Sequence, residues 1–193
     1  MTVLVSGLIL FLGIHSLAAV DESLRNRLAE RLGELPWKAL YSVIALSGFL
    51  MIVWGYDAAR QTPWILYTPP EILRHFALLL LIPVFPLLLA TYLPGRIQHA
   101  TGHPMLLATK IWAVAHLLVN GSVADILLFG SFLAWAVMVR ISFKRRRPRR
   151  LMIQAPAARL NDGIALVGGL AAYGWFAGWG HQMFIGVSPL AAA

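Results

Sequence analysis

Histidine carries the candidate chemistry of this chain. Its 193 residues contain no cysteine, which excludes disulfides, thiolate ligation of haem, iron–sulfur clusters and cysteine-rich zinc sites. Six histidines remain as soft ligands. His15 and His116 stand inside long apolar runs. His75, His99, His103 and His181 stand at the ends of such runs or between them. His116 belongs to T-G-H-P-M-L-L-A-T-K-I-W-A-V-A-H-L-L-V-N-G, Thr101 to Gly121, and follows Trp112 by one helical turn on the same face. Val114-Ala115 and Leu117-Leu118 flank it. An ionisable group in such a place is expensive in lipid unless it has a partner, so it is a functional candidate. His15 has Phe11 and Ala19 on its face and Gly13 and Ser16 beside it. Small neighbours leave room for a bulky planar group or for another helix. For either imidazole taken alone, a hydrogen bond to a backbone carbonyl is the simpler role.

The composition defines the medium in which these side chains sit. Hydrophobic residues make up 59% of the chain and charged residues 12%, with a mean hydropathy of +0.73. Soluble domains carry roughly 25% charged residues. A packed globule of this length cannot hide so much apolar surface, so lipid must be the solvent. The net charge of +8 does not point to nucleic acid, because the basic residues gather between the apolar runs. That pattern reads as an orientation signal and as contact with lipid headgroups.

Six runs are long enough to span a bilayer: Thr2–Val20, Trp37–Tyr56, Glu71–Leu93, the stretch after Thr101, Val123 to about Ile141, and Asp162–Phe184. The expected fold is all-α, a polytopic membrane helical bundle of six transmembrane helices forming one domain over residues 1–193. Ser16-Leu17-Ala18 also resembles a signal-peptidase site, and cleavage there would leave a four- or five-span bundle. Between the first two spans, Leu24, Leu28, Leu32 and Leu35 recur at helical spacing among charges. A helix should therefore continue past the membrane or lie on it, ended by Gly33 and Pro36. Pro83 and Pro86 should kink the third span. Glu71, Arg74 and His75 should form an interfacial ion-pair cluster. Pro104 should open the fourth helix after His103, with Lys110 snorkelling to the interface. Asn120-Gly121-Ser122 reads as a tight turn, and Asp125 as a favourable charge at the next helix start. Gly174 and Gly178 would let another helix approach closely.

The loops after the first, third and fifth spans, with their flanks, hold every basic residue except Arg60 and Arg74, including Lys144 to Arg150. The positive-inside rule places them in the cytoplasm and both termini in the periplasm. Counted from Pro104, His116 lies ~18 Å from the cytoplasmic face. His15 lies ~9 Å in if its span ends at Asp21, and ~15 Å in if the boundary is nearer Arg25. A common depth thus requires the first helix to run on past Asp21.

The I-H-S of the first span, the kinked third span, H-P-M-L-L, I-W-A-V-A-H-L-L-V-N-G and L-L-F-G resemble the NnrU family of bacterial integral membrane proteins, over nearly the whole chain. The resemblance implies a bacterial inner-membrane protein associated with nitrite and nitric oxide reduction in denitrification. Family members often carry an acidic residue directly after N-G, whereas here Ser122 follows and Asp125 comes three residues later. The family is in turn similar to zeta-carotene isomerase, a membrane haem protein with two histidine axial ligands. One of those lies in an early span. The other lies in a W-x-x-x-H context thirteen residues after the histidine of an R-H-P motif, the interval that separates His103 from His116. By that match His15 and His116 would ligate haem b, Trp112 would pack on the macrocycle and Asn120 would close the far end of the pocket. The two imidazole nitrogens would then lie ~4 Å apart across the iron, each bond being ~2 Å. Gly102 stands where the isomerase has arginine. A looser likeness is to membrane methyltransferases, which pair R-H-P with a helical hairpin but need more polar nucleotide-binding surface.

Haem ligation would also relieve the cost of two imidazoles in lipid and fill a gap lined by small residues. Three functions are therefore open. One is a haem-binding protein of nitrite and nitric oxide metabolism. Another is a haem-dependent cis-trans isomerase or redox enzyme. The last is a cofactor-free small transporter whose histidines relay protons. The expected partners are the bilayer and a lipophilic or gaseous small molecule, not nucleic acid. Nothing in the pattern fixes an oligomeric state, a substrate, or further roles for His75, His103 and Asp125.

Overall fold

In lipid every backbone N–H and C=O must be satisfied within the protein, and a helix provides a partner for each. The described residues are mostly helical, as that rule asks. The computed structural model describes residues 1–145 and 154–190. In order these form α1 (Thr2–Val20), α2 (Glu22–Leu32), α3 (Glu34–Gln61), α4 (Ile72–Leu81), α5 (Val84–Tyr92), α6 (Arg96–Thr101), α7 (Pro104–Val119), α8 (Val123–Arg145), α9 (Asn161–Trp175), a π-helical turn (Phe176–Gly180) and α10 (His181–Ile185). Among the described residues the one extended pairing is an isolated antiparallel bridge, Ile65 to Ser122. Most of the basic run Lys144 to Arg150 lies outside the described residues.

Four segments are long and apolar enough to cross a membrane: α1, α3, α4 with α5 taken together, and α8. The 16-residue α7 is apolar but shorter, ~24 Å at about 1.5 Å per residue against a hydrocarbon core of ~30 Å. The 15-residue α9 gains length only by winding on through the π turn into α10.

The helices gather into two compact units. In the first, α1 packs along α3 with α8 beside them. Glycines make this approach possible. A Cβ at Gly7 would lie 2.7 Å from the backbone nitrogen of Ile52, and one at Gly48 would lie 2.7 Å from that of Phe11. A Cβ at Gly55 would collide with the backbone of Leu4, whose side chain is fully buried. Close backbone contact of this kind brings van der Waals attraction where lipid offers no hydrophobic drive. The Ser142 hydroxyl of α8 donates to the Ala19 carbonyl at 2.8 Å.

Here the expectation of a first helix running past Asp21 fails. Asp21 is extended (φ −141, ψ 92), and its carboxylate accepts from the Leu24 N–H at 2.8 Å and the Ser23 hydroxyl at 2.6 Å. Aspartate offers its own side chain to the first free N–H groups of the next turn, which ends α1 and starts α2. The common depth for His15 and His116 therefore gains nothing from a continuous helix. Gly33 ends α2 at φ 86, which suits glycine. Pro36 does not end α2; it sits in the first turn of α3, where no partner for its missing N–H is required. Asp57 to Gln61, past the expected end of the second span at Tyr56, complete α3.

In the second unit the proline kink is present. α4 stops at Leu81, Pro83 occupies the break, and the Leu87 N–H resumes the ladder on the Pro83 carbonyl at 3.0 Å. α5 packs on α7 through Val84, Leu87 and Ala108, with Ile111 and Trp112 against them. α9 reaches α5 at Gly169, where a Cβ would strike the Pro86 backbone. The close helix approach thus uses Gly169, while Gly174 and Gly178 have no such neighbour within 4 Å among the described residues. Asp162 of α9 caps α6, accepting from the Arg96 and Ile97 N–H groups at 2.9 and 3.0 Å.

Candidate histidine sites

Each unit contains one of the two histidines that stand inside apolar helices, and the two are built alike. In the first, His15 Nδ1 donates to the Phe11 carbonyl oxygen one turn earlier, at 2.6 Å. Since a carbonyl only accepts, Nδ1 carries the proton and Nε2 of the neutral ring keeps its lone pair. The Phe11 ring lies 4.2 Å from the imidazole, tilted by 32°. Tyr41 and Trp135 meet it edge-on at 5.4 and 6.4 Å. Phe11 is itself fixed from behind by Gly48 and flanked by Phe49 and Phe132. Beside His15, a Cβ at Gly13 would meet nothing within 4 Å.

In the second unit, His116 Nδ1 donates to the Trp112 carbonyl oxygen at 2.8 Å, again one turn earlier. The Trp112 ring lies 5.2 Å from the imidazole, tilted by 49°. Trp112 is held against the Val84–Leu87–Ala108 core, and Ala113 and Ala115 are fully buried. The same aromatic-x-x-x-His arrangement therefore occurs twice.

The simpler role is thus met at both positions: each imidazole has a backbone partner. That bond is also the usual support of a metal-bound histidine, because donation from one ring nitrogen sets the tautomer and orients the other. Among the described residues no three His, Asp or Glu side chains gather to hold a bare metal ion. An iron carried by a macrocycle brings four nitrogens of its own and asks only for axial donors. An imidazole whose Nδ1 is engaged offers Nε2 as the ring atom suited to such a bond.

The structure places the other residues singled out in the sequence as follows. Asp125, 7% exposed, forms a capping box with Ser122. Its carboxylate accepts from the Ser122 N–H at 2.8 Å and the Ser122 hydroxyl at 2.7 Å, and the Asp125 N–H returns to that hydroxyl at 3.2 Å. The Tyr56 hydroxyl adds a bond to the second carboxylate oxygen at 2.6 Å. Asn120 lies in the turn of the first unit, where its carbonyl accepts from the Tyr67 hydroxyl at 2.7 Å. The His103 carbonyl opens the α7 ladder by accepting from the Leu107 N–H. Glu71 and His75 form no ion pair with each other, and His75 is exposed. His99 is exposed, and His181 Nδ1 bonds the Val187 carbonyl.

Trp135 and Tyr41 are the additions that sequence spacing does not reveal. They reach His15 from other helices, and nothing local marks either one. Trp135 has a further peculiarity: its indole Nε1 is buried and has no hydrogen-bond partner.

Compared with known proteins, residues 3–189 match the family model described as NnrU protein. No curated protein and no solved structure matches the chain.

Proposed function

The chain belongs to the NnrU family, and from that premise we propose that it is a multi-pass membrane protein holding haem b through His15 and His116, in the service of nitrite and nitric oxide metabolism. The observation that carries this reading is the repeated geometry. In each unit taken by itself, an imidazole in an apolar helix commits Nδ1 to the carbonyl of an aromatic residue one turn back, which sets its tautomer and orients the ring. Phe11 and Trp112 orient the rings, and their apolar bulk excludes water from them. Bound haem b supplies an iron centre for electron transfer or for chemistry with a small gas. A lipophilic or gaseous partner reaches such a site through the bilayer.

The proposed topology has six spans in the bacterial inner membrane, both termini periplasmic and the basic loops cytoplasmic. The charge distribution supports it. Two further spans, α7 and α9 continued through α10, would join the four long apolar segments, with α7 flanked by snorkelling side chains or thinned lipid.

The isomerase-like alternative has less support. Gly102 takes the place of the isomerase arginine and adopts φ 68, a conformation strained for a side-chain-bearing residue.

The test is the absorbance spectrum of the full-length protein purified from haem-sufficient cells. A Soret band with low-spin character is expected. Its absence, also after haem is added to the purified protein, overturns the haem reading. Conversion of a cis-carotenoid by the purified protein would favour the isomerase instead.

A further inference from the structure

The described residues leave the leucine side of α2 largely open. None of the residues of α2 is buried, and Leu24 and Leu32 are 38% and 45% exposed. Leu24, Leu28 and Leu32 recur every fourth residue and so share one side. Glu22, Asn26 and Glu30 recur in the same way two residues earlier, which puts them on the opposite side, and all three are exposed. Arg27 and Arg31 follow Leu24 and Leu28 by three residues, so they border the leucines along one flank, and both are exposed. Arg27 spends one guanidinium N–H on the Ser23 hydroxyl at 3.2 Å and keeps the others. Arg31 forms no hydrogen bond or ion pair among the described residues. Arg25, half-buried, bonds the Asn26 side-chain oxygen at 3.0 Å.

The place of α2 in the chain says what covers that side. Asp21 alone joins it to α1 and Gly33 alone joins it to α3, and both neighbours are long and apolar enough to cross a membrane. The 19 residues of α1 rise ~28 Å, close to the ~30 Å of a hydrocarbon core, so α2 begins at the boundary of that core. On α3 the exposed Glu34–Lys38 ion pair, 3.2 Å, belongs to the same polar margin. A helix tethered there at both ends has acyl chains on one side and water on the other. The order of its side chains suits that gradient: leucines toward hydrocarbon, arginines beside them at the depth of the phosphates, and acids toward water.

We propose that α2 is an interfacial helix that docks on anionic phospholipid, with Leu24, Leu28 and Leu32 among the acyl chains and Arg27 and Arg31 on the lipid phosphates. The inference stands apart from the haem reading and needs only that α1 and α3 cross the bilayer. A guanidinium pairs with a phosphate through two N–H groups at once, and basic segments beside a membrane are drawn to anionic headgroups. Docking holds the end of α1 and the start of α3 at a set depth, and its strength follows the anionic lipid content.

The chain has no cysteine, so one introduced thiol carries a spin label to one place. Full-length Leu24→Cys, Leu32→Cys, Asn26→Cys and Glu30→Cys are labelled and placed in nanodiscs of phosphatidylcholine alone or mixed equally with phosphatidylglycerol. Collision with oxygen reports lipid, and collision with a water-soluble nickel chelate reports water. In the mixed bilayer the labels at 24 and 32 should favour oxygen and those at 26 and 30 the chelate. The oxygen preference at 24 and 32 should fall by at least about twofold in phosphatidylcholine alone, and equally in the mixed bilayer once Arg27→Gln and Arg31→Gln are added. Chelate access at 24 and 32 equal to that at 26 and 30 overturns the proposal. So does a preference indifferent to lipid charge or to the two arginines. Labels at 24 and 32 closed to both reagents would place a protein there, a second copy included, and also overturn it. Should a labelled variant fail to fold, amide exchange of the unlabelled wild type reads the same docking. The α2 amides should exchange at least about threefold more slowly in the mixed bilayer than in phosphatidylcholine alone, and equal rates are contrary to the proposal.

Discussion

Gly48 of α3 lies directly behind Phe11 of α1, the residue whose carbonyl oxygen accepts from His15 Nδ1 at 2.6 Å. The orientation of the imidazole therefore depends on a glycine on another helix. A side chain at Gly48 would meet Phe11 backbone at 2.7 and 3.0 Å, and backbone cannot turn aside.

Gly48→Val should accordingly lower stability by about 1–3 kcal/mol, the usual cost of overpacking, and reduce haem retention with it. Gly13→Ala is the matched control. Its Cβ meets nothing within 4 Å, and alanine is the better helix former by up to ~1 kcal/mol. Thermal unfolding in detergent should show opposite signs for the two. A neutral Gly48→Val would mean that α1 and α3 are not packed as described.

Asp125 ties the start of α8 to α3 through Ser122 and Tyr56. Asp125→Ala removes the capping box and leaves the Tyr56 hydroxyl unpaired, so the expected loss is ~2–3 kcal/mol. Tyr56→Phe should cost about 1 kcal/mol in the wild type and close to nothing once Asp125 is gone. Chemical denaturation of both single variants and the double variant checks this. Additive losses would show that the two groups do not interact.

The α1–α2 break responds to acid. The Ser23 hydroxyl and then the Leu24 N–H hold the Asp21 carboxyl below its ordinary value of 3.8. A depressed folded value stabilises the cap above the unfolded value, and the effect is lost as pH falls through the folded one. Amide exchange in α2 should therefore be steady from neutral pH down to about 4 and lose protection below it. Asp21→Asn should flatten that dependence. An unchanged profile in the variant would count against the cap.

How legible these features were in the sequence depended on whether their causes are local. Pro83 lacks a donor wherever it is placed, so the kink was readable. Asp125 three residues after Ser122 is a capping signal contained in four residues. The break at Asp21 was missed because leucines spaced by helical turns fit one long helix as well as two short ones. Only the Asp21 bond to Leu24 separates those cases. Gly174 and Gly178 carry the familiar spacing, yet the close approaches use Gly7, Gly48, Gly55 and Gly169. Each of those needs a partner on another helix, which no spacing along one helix discloses. His15 and His116 stood out because ionisable groups are conspicuous in apolar runs. Trp135 did not, because an indole is at home there.

Topology is open to a direct check. Reporter fusions at Thr62 and at Lys144 should report the periplasm and the cytoplasm respectively, as the basic loops require. The same side for both would overturn the proposed six-span arrangement.

The central claim is axial ligation by His15 and His116, and the most direct measurement is the low-spin haem signature of four proteins purified in parallel: wild type, His15→Ala, His116→Ala and His99→Ala. Wild type and His99→Ala should give the same six-coordinate, bis-imidazole spectrum, because His99 is exposed at a helix end. His15→Ala and His116→Ala should each lose it, becoming high-spin or haem-free, and added imidazole should restore low-spin character where haem is retained. An unaltered spectrum in either of those two variants would contradict the account.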